Sequence, residues 1–485
     1  MTRGRIALSV STVLTISTAL SALAAPLAAQ SFDRSHPPEL APPAPLHLPT
    51  VEVGRLANGA RIYLVEMHKV PLVQVTLRLR AGARYEGDHG GLASFTAGML
   101  DEGAGSRDAA GIAAEAGFLG ARLSTDSDWD LAEVSLNTPR RTLSAALDLM
   151  ADVVLRPNFL KTDIDRERNL RIADLIQARS EPGSMADLAF NATVFPAGHP
   201  YHRSLDGDSA SVAGLDSITV RDFYRRTFQP DQAEFVVTGD ITMDEAVRLL
   251  VNRFGKWRND KLGRLTPAQA SMPEAGATAV TLVDKPGAAQ SVIVIGNPGV
   301  ARTSPDYAAL EVMNTLLGGS YSSRLNQNLR EVHGYTYGAG SGFLYRPLPG
   351  PFEASAAVRT DVTDSSLIQF FREFRLIRDS QVTATELARA TSYITLGLPR
   401  QFETTRQMAA GIGELLSFGL PLDYFNSYPR QIQAVTAGDV QRVARHYLDP
   451  GHFSVIVVGD VQQIRPGIEA LGLGPVSVRN PLRMP

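Results

Sequence analysis

"ITVRDFYRRTFQPDQAEFVVTGDI", residues 218–241, returns later in the chain as "VTAGDVQRVARHYLDPGHFSVIVVGD", residues 435–460. Both run threonine, amphipathic helix, aromatic, proline, apolar strand and Gly-Asp. Pro230 stands to Gly239 as Pro450 stands to Gly459. A period of about 220 residues is far too long for a solenoid repeat and marks a duplicated domain. The polar stretch "RNDKLGRLTPAQASMPEAGAT" lies between the two copies and reads as the boundary. The chain therefore divides into a first domain over 51–258, a linker over 259–278, a second domain over 279–470 and a tail over 471–485.

Working outward from the repeat, periodicity predicts an α+β fold with a mostly antiparallel sheet against helices in each half. "ARIYLVEM" and "PLVQVTLRLRAG" alternate as strands behind a turn at Asn58-Gly59. Helical spacing occupies about 90–101, 108–118, 141–155 and 162–179, with a strand near 130–137. In the second half, Leu325, Leu329 and Val332 outline a helix that Gly334 ends, and "YTYGAGSGF" follows as a strand.

Composition narrows the function. At 44% hydrophobic and 20% charged the chain is an ordinary globular protein, and a net charge of −3 gives it no basic surplus for nucleic acid or anionic lipid. The absence of cysteine removes disulfides, thiolate metal sites and a cysteine nucleophile together. Residues 1–30 read as a signal peptide: Arg3 and Arg5, an apolar run from Ile6 to about Leu23, then small residues suited to cleavage. Residues 31–50 form a proline-rich leader. The mature protein is thus expected to be periplasmic or secreted, with no membrane attachment after signal removal. A retained anchor is the competing reading.

The segments "LANGARIYLVE", "LRAGARYE", "GGLASFTAGML", "HPYHRSLDGD", "LLGGSYSSRLNQNLREVHGYTYG" and "VVGD" stand in an order that resembles the pitrilysin/insulinase family of zinc metallopeptidases. The likeness is greatest to the two-domain members of about 50 kDa that include mitochondrial processing peptidase and its bacterial relatives. It covers about 51–460 and implies two homologous domains facing each other as a half-clamshell. The family binds zinc through an inverted H-x-x-E-H helix, in which two histidines share one face and the glutamate activates the metal-bound water. A third ligand comes from a later helix. Here the first histidine aligns with Ser94, the glutamate with Ala97, the second histidine with Gly98 and the third ligand with Asp174. Glu167 keeps the acid that precedes it. A hydroxyl, two residues without donors and one carboxylate are not a zinc set, so no metal is expected on this chain. Asp174 and Glu167 read as ordinary helix-surface acids. His89, His199, His202 and His333 are too scattered to substitute.

The resemblance also implies what is kept. An Arg–Tyr pair in the family's C-terminal domain binds the substrate backbone and stabilises charge on the scissile carbonyl. Arg330 and Tyr337 match it, and Gly318-Gly319 match the glycine-rich substrate-chamber loop. Some bacterial relatives are heterodimers in which one subunit brings zinc and the other brings this pair. The expected function is the second role: no cofactor on this chain, a zinc-bearing H-x-x-E-H partner, and unfolded peptides as substrate. The alternatives are an inactive scaffold or binding protein, and a self-sufficient enzyme with displaced ligands.

Overall fold

The structure is a computed structural model and describes residues 46–271 and 273–480. The expected signal peptide and most of the leader lie outside the described residues. Leader residues 46–50 do have packing partners: Leu46 and Leu48 lie against the second core, and the Leu48 N–H donates to Asn426 Oδ1 at 3.0 Å.

The duplication is visible at the level of elements. The first half contributes β1 (Glu52–Arg55), β2 (Arg61–Glu66), β3 (Leu72–Leu79), β4 (Arg122–Ser127), β5 (Ala132–Pro139) and β6 (Glu234–Gly239). Its sheet order is β1-β2-β6-β3-β5-β4, antiparallel except for β2 against β6. Its main helices are α1 (Leu92–Gly98), α2 (Ala109–Phe118), α3 (Leu143–Leu155), α4 (Lys161–Ala178), α5 (Pro182–Val194), α6 (Ser217–Thr227) and α7 (Met243–Phe254).

The second half repeats this with β7 (Ala279–Asp284), β8 (Gln290–Pro298), β9 (Thr336–Phe343), β10 (Pro351–Arg359), β11 (Ser454–Gly459) and β12 (Val476–Arg479). The order is β9-β10-β8-β11-β7-β12; read from the other end, its last five strands follow β2-β6-β3-β5-β4, while the edge strand differs, β1 preceding β2 and antiparallel to it, β12 ending the series and parallel to β7. Its helices are α8 (Tyr307–Leu317), α9 (Thr363–Asp379), α10 (Ala384–Gly397), α11 (Thr405–Phe418), α12 (Tyr424–Gln433), α13 (Ala437–Tyr447) and α14 (Val461–Ala470). The stretch read as a tail from 471 therefore does not hang free. It supplies β12, which pairs in parallel with β7 through Val476 and Val280.

The repeated segment maps onto α6–β6 and α13–β11. Residues 259–271 and 273–278 carry no helix or strand, and Ala268 is pinned to Arg84 by reciprocal backbone and guanidinium bonds.

Each half covers its own sheet on one face only. The other face is covered by a helix from the opposite half. α5 lays Met185, Ala186, Ala189 and Phe190 on Val294, Ile456 and Val458 of the second sheet. α11 lies on β3 and β6 of the first, with the Thr238 hydroxyl donating to Thr405 O at 2.7 Å and Arg78, only 2% exposed, bonded to Ser417. This exchange explains the uninterrupted apolar runs of β6 and β11: both faces of these strands are buried, so polar alternation has no solvent to answer to. Among the described residues no helix is long and apolar enough to cross a membrane.

Candidate functional site

The position aligned with the zinc ligands is built by α1, α4 and the 203–208 loop. Glu86, 3% exposed, accepts from the N–H groups of Gly91 and Ala93 at 3.2 and 3.1 Å and so caps the start of α1. Burial pushes its pKa up to about 7 against the pull of those bonds and of Arg203. The loop backbone approaches α1 closely: a Cβ on Gly91 would stand 2.4 Å from Asp206 O, and one on Gly207 2.4 Å from Gly90 O. Only glycine permits that approach.

Ser94 faces α4, as the helix alignment requires, but its neighbour is a cation of the chain itself. Arg171 Nη1 donates to Ser94 Oγ at 3.1 Å and to Asp206 Oδ1 at 2.8 Å. Ala97 is buried and Gly98 exposed, and a Cβ on Gly98 would have nothing within 4 Å. Asp174 is exposed and forms no hydrogen bond or ion pair among the described residues, and Glu167 accepts from Arg166. Among the described residues no three His, Asp or Glu side chains converge. The donors present do not fit zinc.

The histidines have other work. His199, 5% exposed, stacks on Phe195 and accepts the Tyr201 N–H at 3.1 Å. Burial, with Arg346 and Arg84 nearby, lowers its pKa to about 4. His202 Nδ1 lies 2.7 Å from Phe195 O, His333 stacks on Tyr335, and His89 is exposed.

The second site gathers Arg330, Tyr337 and the glycine loop. The helix that carries Arg330 departs from the α reading. After a single turn at Arg324–Asn326 it widens into a π-helix over Gln327–Val332, closed by His333 N–H to Asn328 O and Tyr335 N–H to Leu329 O. Leu325 and Leu329 are fully buried, but the wider turn swings Val332 out to 74% exposure, so the apolar stripe expected through Val332 stops at Leu329. Gly334, at φ 63°, then reverses the chain into β9.

A bulge between Thr336 and Ala339 frees Tyr337 from the ladder and turns its ring to solvent, 89% exposed. The Arg330 guanidinium lies between two rings, 4.8 Å from Tyr321 and 5.1 Å from Tyr337, and pairs with Glu331 at 3.2 Å. Asn326 ties the parts together: its Nδ2 donates to Tyr321 O at 2.7 Å and its Oδ1 accepts the Ala339 N–H at 3.3 Å. Gly318 presses on β9, where a Cβ would meet Ser341 N at 2.3 Å. Gly319 packs on Asn314.

The structure thus brings Arg330, Tyr337 and the glycine loop together in one place, and Ser94, Ala97 and Gly98 in another. Arg171, Asn326 and Tyr321 escaped the sequence reading. Of the three, only Tyr321, an aromatic inside the glycine loop, carried a local signal.

Residues 61–205 match the family model described as Insulinase (Peptidase family M16), and 217–393 match Peptidase M16 inactive domain. Together these matches cover more than half of the chain.

The chain belongs to the insulinase family.

It is 27% identical over 407 residues to an uncharacterized zinc protease of Mycobacterium bovis, covering 81% of this chain and 90% of that one. It is 22% identical over 434 residues, 86% of this chain and 80% of the other, to a probable mitochondrial-processing peptidase subunit beta of Arabidopsis thaliana. Among solved structures, a peptidase M16 inactive domain from Pseudomonas fluorescens superposes with a TM-score of 0.77 at 25% identity, covering 84% of this chain and 98% of that one. The insulinase-family assignment and the α+β fold read from the motifs are both upheld. The Arg–Tyr pair lies inside the segment matched by the inactive-domain model.

Proposed function

We propose that this chain is the zinc-free subunit of an exported heterodimeric peptidase of the insulinase family. It supplies Arg330 and Tyr337 to a partner that carries H-x-x-E-H, and the substrate is an unfolded peptide. The observation that carries this reading is the presentation of the pair. Arg330 is held between Tyr321 and Tyr337 on a π-helix, and the Tyr337 ring, freed by a bulge, is spent on no core contact. An arginine is charged at every working pH and a tyrosine hydroxyl is a directed donor, which suits both a peptide carbonyl and the oxyanion derived from it.

The test is co-purification with an exported H-x-x-E-H relative, followed by peptide cleavage with and without this chain. Tyr337→Phe keeps the ring and removes one hydroxyl, so folding and partner binding hold while turnover falls by up to ~10²-fold. Arg330→Ala lowers turnover and raises KM. The double variant loses less than the sum, because both groups act on one carbonyl. Full-rate cleavage with both residues replaced would remove the enzymatic role and leave a scaffold. That second reading draws on the same missing zinc donors.

A further inference from the structure

Arg171 belongs to no motif, yet it joins three elements. It leaves α4 one turn before Asp174 and one turn after Glu167, on the face turned to α1. Its Nη1 holds Ser94 Oγ on α1 at 3.1 Å and Asp206 Oδ1 on the loop at 2.8 Å. Ser94 reaches on to Leu205 O at 3.4 Å. The side chain is only 25% exposed, and the loop lies so close to α1 that a Cβ on Gly91 would stand 2.4 Å from Asp206 O.

We propose that Arg171 is an internal cation that replaces a metal ion: it cross-links α1, α4 and the 203–208 loop and closes the position beside residue 94 to zinc. The physics is direct. A guanidinium keeps its charge at all working pH values, so the link is permanent and independent of metal supply. A divalent cation brought next to it meets like-charge repulsion at short range. An imidazole at position 94 would have to displace the guanidinium before it could bind metal. Restoring zinc donors alone therefore does not create a metal site while Arg171 stands beside them.

The test uses the full chain by itself. Ser94→His, Ala97→Glu, Gly98→His and Asp174→Glu are combined, once with Arg171 kept and once with Arg171→Leu. Zinc is titrated into both by calorimetry and counted by elemental analysis, with circular dichroism confirming the fold. The set that keeps Arg171 is expected to bind zinc at least about 100-fold more weakly than the set without it. One tightly held zinc with Arg171 in place overturns the proposal, and so does failure of both folded sets to bind. If the combined variants do not fold, Arg171→Leu in the otherwise unchanged chain decides. Its Tm is expected to fall by about 2–4 °C, with Arg171→Lys recovering part of the loss. An unchanged Tm overturns the cross-link.

Discussion

At the residue scale, single groups are set by their immediate surroundings. Glu86 is a carboxyl whose proton is held more tightly in the folded chain, up to about 7, because burial strips its charge of water, outweighing the α1 N–H groups and Arg203 that favour the carboxylate. Between the ordinary carboxylate value of ~4.3 and about 7, the native state binds more protons than the unfolded one, so stability falls as pH rises through that window. Glu353, pushed to about 7 by burial and by Asp187, acts in the same sense. His199 acts in the opposite one: held neutral down to about 4, it costs stability as pH drops below ~6.5. Urea unfolding at about pH 5 and about pH 7.5 should therefore show a loss at the higher pH that Glu86→Gln reduces. A steeper loss in that variant would contradict the assignment. Gly318 is set by space instead. Gly318→Ala drives a methyl into the backbone of Ser341 and should cost roughly 1–3 kcal/mol, whereas Tyr337→Phe, at a ring turned to solvent, should stay within about 0.5 kcal/mol. Denaturant midpoints compare the two directly.

At the element scale, α1 and the Arg330 helix deviate in different ways. α1 is short and ends at Gly98, which faces solvent with open space around a would-be Cβ. Gly98→Ala should stabilise the chain by ~0.5–1 kcal/mol through helix propensity alone. A destabilised variant would mean that the α1 terminus is not helical in solution. The Arg330 helix shows the limit of periodicity. Leu325 and Leu329 are read correctly as buried, but one extra residue in a π-turn moves Val332 outward, and no i, i+3, i+4 count contains that information. The same residue shift, followed by the bulge at Thr336–Ala339, is what brings Arg330 under the Tyr337 ring.

At the scale of the whole molecule, the halves are not independent. The first sheet buries Tyr63, Val65 and Val236 in the second core, and the second sheet buries Val294, Ile456 and Val458 under α5. Cutting at the linker would strip each sheet of the helix that covers it. Residues 46–258 expressed alone should therefore aggregate or bind a hydrophobic dye. Co-expression with 259–485 should restore a soluble, cooperatively unfolding complex. A monomeric first half with a sharp thermal transition would show that α11 is dispensable.

The sequence by itself determined the family, the α+β class, the duplication and the absence of zinc-binding side chains at 94, 97 and 98. These are properties of residue identity, order and local period, which a chain carries before it folds. It did not determine which half covers which sheet or that 476–479 pair with β7. Nor did it reveal that Arg171 grips Ser94. Those depend on contacts between residues tens to hundreds of positions apart, such as Arg171 with Ser94 or Thr238 with Thr405. Such contacts are chosen by the packing of whole layers, and no local pattern encodes them.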